Sequence, residues 1–300
     1  MTGRARHLEC RNKSRSLPEV AQDNGDEMSL AAIMVHVDFE TSRDRIDAAA
    51  DLAVRFNARL IGIAGWPLRV DYPAGDGDFN FKPASEALRE IKLQFDRLGE
   101  QFRQAAGANP RGVEWRTSPH FPSEVIADAA RVADLVVIGQ DPLPGDLYRT
   151  FDPGTVILAA GRPILVLPPG MRHVAASRIL IAWKNTREAR RAIRDAMPLL
   201  KAAQSVHIAS VAPQELEERV EEQIGDIANY LAHHHVVMGG RILSTAHEAE
   251  GPALLDLAKR QNADLIVAGA YGRTRLSEWV FGGVTRHLLM KATIPCLLTH

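Results

Sequence analysis

The sequence of 300 residues has few cysteines, no long apolar run and almost no net charge. Its two cysteines, Cys10 and Cys296, stand at opposite ends, which argues against a disulfide framework or a cysteine metal site. No segment approaches the roughly 20 apolar residues that span a bilayer, and no signal-peptide core follows the first residues, so we expect a cytoplasmic protein. A formal net charge of −1 gives no field that would attract nucleic acid or a membrane surface.

Common signatures of phosphate chemistry and catalysis are missing as well. Gly-Lys-(Ser/Thr), the core of a P-loop, does not occur, and neither does the Gly-x-Gly-x-x-Gly of dinucleotide-binding folds. No Ser-His-Asp, Cys-His or paired-carboxylate arrangement stands out. The three histidines 233–235 would point in different directions from a helix end, so they predict no metal site. We also predict no catalytic residues.

The chain does contain an internal repeat, because three apolar segments recur in the same order. This repeat predicts two domains, at 29–170 and 175–300, joined by a linker near 168–177 that contains Pro168-Pro169-Gly170. Residues 1–28 are polar and lack apolar periodicity, so we expect a disordered tail. The recurring segments are 33–38 and 179–184, then 133–139 and 263–269, and finally 163–167 and 295–299.

Each copy alternates five short apolar runs with amphipathic helical stretches. Continuous apolar strands between helices are typical of a parallel sheet that helices cover on both faces. The sequence therefore predicts an α/β fold with two tandem, open-twisted, mostly parallel five-stranded sandwich domains. Helices are predicted near 154–161 and over 186–202, and the ligand edge is expected at the carboxyl ends of the strands.

The second copy carries a spaced glycine motif. Gly269-Ala270-Tyr271-Gly272 follows a strand directly, and Gly282-Gly283-Val284-Thr285 opens the final helix. Glycines let the backbone approach an anion, and the free amides of a helix N-terminus attract one. Arg273 and Arg275 add positive charge to the same loop. A tight strand-to-helix turn that needs glycine is the competing interpretation.

This spacing resembles the Gly-x2-Gly-x9-Gly-(Ser/Thr) motif of universal stress proteins that bind ATP, in a tandem two-domain arrangement. The sequence matches each glycine, but Gly283 stands where Ser or Thr is usual, and Thr285 could supply the hydroxyl. The resemblance implies an adenine nucleotide site formed by Gly269, Tyr271, Gly272, Arg273, Gly282, Gly283, Val284 and Thr285, with ATP and possible Mg²⁺ as ligands.

The base side of that site departs from the family. ATP-binding relatives usually have an Asp at the end of the first strand, which copy one keeps as Asp38, whereas copy two has Lys184. An ammonium group cannot accept a hydrogen bond from an adenine amino group, but it can contact a phosphate. Val211 falls where relatives line the adenine pocket, and simple core packing would explain it equally well.

Copy one shows the opposite pattern, with a degenerate loop. At an offset of 130 residues, Gly272 corresponds to Pro142, Gly282 to Asp152 and Gly283 to Pro153. Proline removes a backbone donor, and a carboxylate would repel a polyphosphate. We therefore expect copy one not to bind ATP in the manner of the family.

The function expected from this resemblance is that of a stress-response sensor or regulator that binds ATP in its second domain and has at most slow hydrolysis. The final strands would pair within the chain as a pseudo-dimer, or between chains as a homodimer, since exposed apolar edges are avoided. A protein partner is expected but not identified. The alternative is a tandem scaffold for a protein or small apolar ligand. An enzyme of related architecture would have Lys184 as its candidate catalytic group.

Overall fold

A computed structural model describes residues 29–38, 43–67, 84–140, 151–245, 249–272 and 283–300. The tail 1–28, Arg273 and Gly282 of the glycine loop, Arg275 and Pro142 therefore lie outside the described residues. No described helix combines the length and the apolar character that crossing a membrane requires.

Strands and helices alternate along the described chain in two similar series. The first half contains β1 (Ala32–His36), α1 (Arg43–Arg55), β2 (Arg59–Gly65), α2 (Ala84–Ala106), β3 (Val113–Ser118), α3 (Pro122–Ala129), β4 (Leu135–Gly139), α4 (Pro153–Ala159) and β5 (Ile164–Leu167). The second half contains β6 (Arg178–Ala182), α5 (Arg187–Asp195), α6 (Met197–Ala202), β7 (Ser205–Ala212), α7 (Glu217–His233), β8 (Met238–Thr245), α8 (Glu250–Arg260), β9 (Leu265–Gly269), α9 (Gly283–Lys291) and β10 (Cys296–Thr299).

The ten described strands form one sheet in the order β3-β2-β1-β4-β5-β10-β9-β6-β7-β8. All neighbouring strands are parallel except β5 and β10, which pair antiparallel with Leu165 opposite Leu297. The predicted pairing of the two final strands is therefore present within the chain. In each half the strand order reverses beside the first strand, between β1 and β4 and between β6 and β9. Such reversals open a crevice at the carboxyl ends of the strands.

Two apolar layers lie against the two faces of this sheet, and each runs through both halves. One layer contains the buried side chains under α1, α2, α5, α6 and α7. The other contains those under α3, α4, α8 and α9. Since β4 and β10 are buried along their whole length, their apolar runs serve both layers. This arrangement confirms the predicted mostly parallel α/β fold.

The repeated Ala-Asp-Leu segments have a structural role at the amino-terminal edge of the sheet. The carboxylate of Asp134 accepts hydrogen bonds from the amides of Ala31 and Ala32, at 2.9 and 3.0 Å. That of Asp264 accepts from the amides of Ser177 and Arg178, at 3.1 and 2.9 Å. Each carboxylate thus ties the strand that follows it to the first strand of its half.

The segment between the halves is held against α1. Arg172 pairs with Asp44 at 2.5 Å and His173 with Asp51 at 2.8 Å, while Arg55 donates to the carbonyl oxygen of Ala175 at 2.7 Å. Val174 and Ala176 are buried. The predicted linker therefore follows a fixed path over the first half.

Two predicted helices differ in detail from the structure. The helix expected over 186–202 is two helices, because α5 ends at Asp195 and α6 begins at Met197, just before Pro198. Proline lacks the amide hydrogen that would continue a helix, so it is accommodated in a new first turn. The helix expected near 154–161 is α4, which runs from Pro153 to Ala159.

Replacement of Asp264 by Ala should lower the free energy of unfolding by about 1–3 kcal/mol, because two backbone donors lose a charged acceptor. Asp264→Asn should lower it less, since one carbonyl oxygen remains. Chemical denaturation followed by circular dichroism measures both. If Asp264→Ala were as stable as the wild type, this structural role of the repeated aspartate would be contradicted.

Candidate functional site

A cavity of about 720 Å³ opens at the carboxyl ends of the second-half strands, beside the point where strand order reverses. This volume is within the range of small-molecule sites. The predicted site residues within the described ranges all line it. They are Lys184, Val211, Gly269, Tyr271, Gly272, Gly283, Val284 and Thr285.

The glycine loop approaches α5 very closely. A Cβ atom on Gly269 would lie 2.6 Å from the carbonyl carbon of Glu188 and closer still to the amide nitrogen of Ala189. Tyr271 has a positive φ of 54°, which turns the chain after β9. Among the described residues, the atoms nearest to an added Cβ on Gly272 would be 3.8 Å away. Gly269 is therefore needed for packing, whereas no described atom crowds Gly272.

The amino-terminal turn of α9 borders the same cavity through Gly283, Val284 and Thr285. The first amides of a helix have no partner within the helix, and its dipole favours an anion there. Thr285 is buried at 5% exposure, whereas an added Cβ on Gly283 would meet no atom of the described residues within 4 Å. This edge of the cavity has the features of an anion-binding helix end.

Helix α5 begins on the opposite side of the loop with a buried carboxylate. Thr186 caps the helix by accepting a hydrogen bond from the amide of Ala189 at 3.2 Å. Burial would raise the pKa of Glu188, but hydrogen bonds from its own backbone amide, Arg187 and Thr186 outweigh it and lower that pKa. Glu188 therefore stays ionised, and Arg187 lies 2.9 Å from it as counter-charge.

Lys184 forms an ion pair at the mouth of the cavity. Its Nζ lies 3.2 and 3.3 Å from the two carboxylate oxygens of Glu250, in the first turn of α8. Glu250 also lines the cavity. The sequence analysis missed Glu250, although the offset of 130 residues places it opposite His120 of the first half.

The corresponding region of the first half is occupied by its own side chains. The Arg45 guanidinium covers Gly139, where an added Cβ would lie 2.6 Å from its Cζ. Arg45 also lies 3.5 Å from a carboxylate oxygen of Asp38 and donates to the carbonyl oxygen of His36 at 3.2 Å. In the second half, Ala189 lies against Gly269, the counterpart of Gly139, so Ala189 is the counterpart of Arg45.

At the start of α4, the carboxylate of Asp152 takes the position that a ligand anion would occupy. Its carboxylate accepts from the amides of Gly154 and Thr155, at 3.3 and 2.8 Å, and from the Thr155 hydroxyl at 2.6 Å. These are the donors that an anion would use at the start of α4. Arg45 and Asp152 together give a physical reason for the predicted loss of nucleotide binding in this half.

The first half also contributes to the second-half cavity. Leu158 of α4 lines it, and Gln140 donates to the carbonyl oxygen of Leu288 in α9 at 3.3 Å. Burial, and to a lesser extent the carboxylate of Asp152, raises the pKa of Tyr271, so its phenol stays protonated. Sequence reasoning did not identify Leu158, because its place in the cavity depends on the β5–β10 pairing.

Among the described residues, no group of three or more His, Cys, Asp or Glu side chains could hold a metal ion. Two acidic residues beside the cavity, Glu188 and Glu250, pair with Arg187 and Lys184.

Comparisons with known proteins bear on the family of the second half and on the fold. The family model described as universal stress protein family matches residues 176–300. No curated protein matches the chain. A universal stress protein from Archaeoglobus fulgidus DSM 4304 has 14% identity and a TM-score of 0.68, covering 89% of this chain and 97% of that chain.

Two further solved structures match. A functionally unknown protein from Pseudomonas aeruginosa PAO1 has 16% identity and a TM-score of 0.56, covering 90% of this chain and 92% of that chain. A universal stress protein in complex with cAMP has 19% identity and a TM-score of 0.33, covering 46% of this chain and 97% of that chain.

The chain therefore has the tandem two-domain form of the universal stress protein fold. Residues 176–300 belong to the universal stress protein family.

Gly269→Ala should lower the free energy of unfolding by about 1–3 kcal/mol, because the new methyl group would overlap the backbone of α5. Gly272→Ala should change stability much less, since the nearest described atoms would be 3.8 Å from the new methyl group. Thermal denaturation of the two variants tests the difference. Equal losses of stability in the two variants would contradict the packing role of Gly269.

Acid should destabilise the first half through His36. Burial is the main reason that its pKa is lowered from 6.5 to about 4; nearby Arg45 lowers it further and Asp38 opposes the shift. Because the unfolded chain takes up this proton first, stability is complete above pH 6.5 and falls as the pH drops from 6.5 to 4. The loss is of the order of 3 kcal/mol.

His36→Phe removes the titrating group and keeps a ring against Phe151, whose ring centroid lies 4.6 Å from that of His36. Urea unfolding between pH 7.5 and 4 should therefore show a shallower pH dependence in this variant. If the free energy of unfolding changed equally with pH in the variant and the wild type, His36 would not contribute to the acid sensitivity.

Proposed function

We propose that the second half binds an adenine nucleotide, with ATP as the leading ligand, and that binding regulates the chain in a stress response. The observation that carries this proposal is the convergence of the predicted site residues on one cavity beside the start of α9. The glycine loop would face the phosphates, with Mg²⁺ coming to the site bound to them. Lys184 and Val211 would lie on the base side.

The contrast between the halves supports a single site. The Arg45 guanidinium covers Gly139 in the first half, whereas in the second half the backbone of α5 packs on Gly269 and the small side chain of Ala189 lines the cavity. Asp152 occupies the helix amides in the first half. We therefore expect one nucleotide per chain.

Regulation would follow from the contacts between the halves. Leu158 lines the second-half cavity, and Gln140 bonds to α9, so a ligand there would touch elements of both halves. A ligand shifts a conformational equilibrium only through different affinity for the two states. Hydrolysis is expected to be slow, because neither a general base nor an arginine finger was identified in the sequence. A cytoplasmic location stays a prediction.

Titration calorimetry with Mg-ATP tests the proposal, and saturable binding near one site per chain is the expected result. Ala189→Arg should abolish binding, since it places in the second half the side chain that fills the first. Gly272→Asp should also abolish it by adding a carboxylate to the loop, at a position where the nearest described atoms would be 3.8 Å from the new Cβ.

Ala202→Arg is the matched control, because Ala202 is an exposed residue at the end of α6 and does not line the cavity. It should bind Mg-ATP as the wild type does. No heat and no thermal stabilisation of the wild-type protein at millimolar ATP would show that the proposal is wrong and would favour the scaffold.

A further inference from the structure

The ion pair of Lys184 and Glu250 lies where the base of a nucleotide would enter the cavity. Lys184 follows β6 and Glu250 begins α8, and both line the cavity with Val211. Both carboxylate oxygens of Glu250 are within 3.3 Å of Nζ. The pair therefore presents a strong donor and a strong acceptor at one edge of the cavity.

The two halves carry a carboxylate at this edge of the sheet on different elements. At the end of the first strand, Asp38 of the first half corresponds to Lys184 of the second. Two residues before the first Pro of α3 and α8, His120 corresponds to Glu250. A carboxylate is thus present in both halves, but on different elements.

The two carboxylates differ in their neighbours. Asp38 faces Arg45, which also covers Gly139, so its carboxylate is part of the side chains that fill the first half. Glu250 lies at the start of α8, where the helix dipole favours a negative charge, and its neighbour Lys184 is at the open mouth. The second-half carboxylate is therefore accessible to a ligand.

We propose that Glu250 recognises the base, as the acceptor for the 6-amino group of adenine, with Lys184 donating to a ring nitrogen. This inference rests on the proposed function, since it needs a nucleotide in the cavity. Adenine presents an amino donor next to the ring acceptor N1, which complements a carboxylate next to an ammonium group. The carboxylate on α8 thus compensates for the lysine at the end of β6.

The exposure of the pair suits this role. The side chain of Lys184 is 71% exposed and that of Glu250 is 41% exposed. Exposed ion pairs contribute little to stability, so a base can separate the two groups at small cost. Glu250 then keeps a hydrogen-bond donor and Lys184 an acceptor, both on the neutral base.

A base-analogue titration tests this inference. Mg-ATP is compared with the triphosphate of purine riboside, which has hydrogen in place of the 6-amino group. Wild-type protein should bind ATP at least about tenfold more tightly, the effect of one hydrogen bond to a charged acceptor. Glu250→Ala should weaken ATP binding to the level of the analogue.

Asp256→Ala is the matched control, because Asp256 is an exposed carboxylate on the same helix that pairs with Arg260 and does not line the cavity. It should keep the preference for ATP. Equal binding of ATP and the analogue to wild type, or a preference that survives Glu250→Ala, would overturn the role of Glu250 and leave nucleotide binding intact. Tighter binding of GTP than ATP would also overturn it, and binding of no nucleotide would overturn both proposals.

Discussion

The antiparallel pairing of β5 with β10 is the contact on which the rest of the architecture depends. Without it, each half would present an apolar final strand as an open edge, which proteins avoid. With it, ten strands form one sheet and both apolar layers continue across the junction. The same pairing brings α4 of the first half to the second-half cavity, where Leu158 forms part of the wall.

The two halves use one fold for different purposes. In the first, Arg45 pairs with Asp38 and Asp152 accepts from the backbone amides of α4, so the position of a ligand is filled by protein groups. In the second, Ala189 and the start of α9 line a cavity. The Asp134 and Asp264 contacts at the opposite edge are the same in both halves, because they hold the strands rather than a ligand.

The fold could be predicted from the sequence because its strands are continuous apolar runs and its halves repeat. The glycine positions were predictable for the same reason, since they follow a strand and precede a helix at a fixed spacing. The break before Pro198 was visible in the sequence, but the apolar periodicity continues through it. The roles of Arg45, Ala189 and Glu250 could not be predicted, because each depends on which side chains from distant elements meet at one edge of the sheet.

Arg45 also has a consequence for how the protein would respond to its ligand. Its guanidinium covers the first-half counterpart of the cavity, so the two similar halves are not equivalent receptors. Cooperative titration requires at least two coupled sites. A chain with a single open receptor at this edge would instead fill along a simple hyperbola, and its output would track nucleotide concentration in a graded way rather than switch at a threshold.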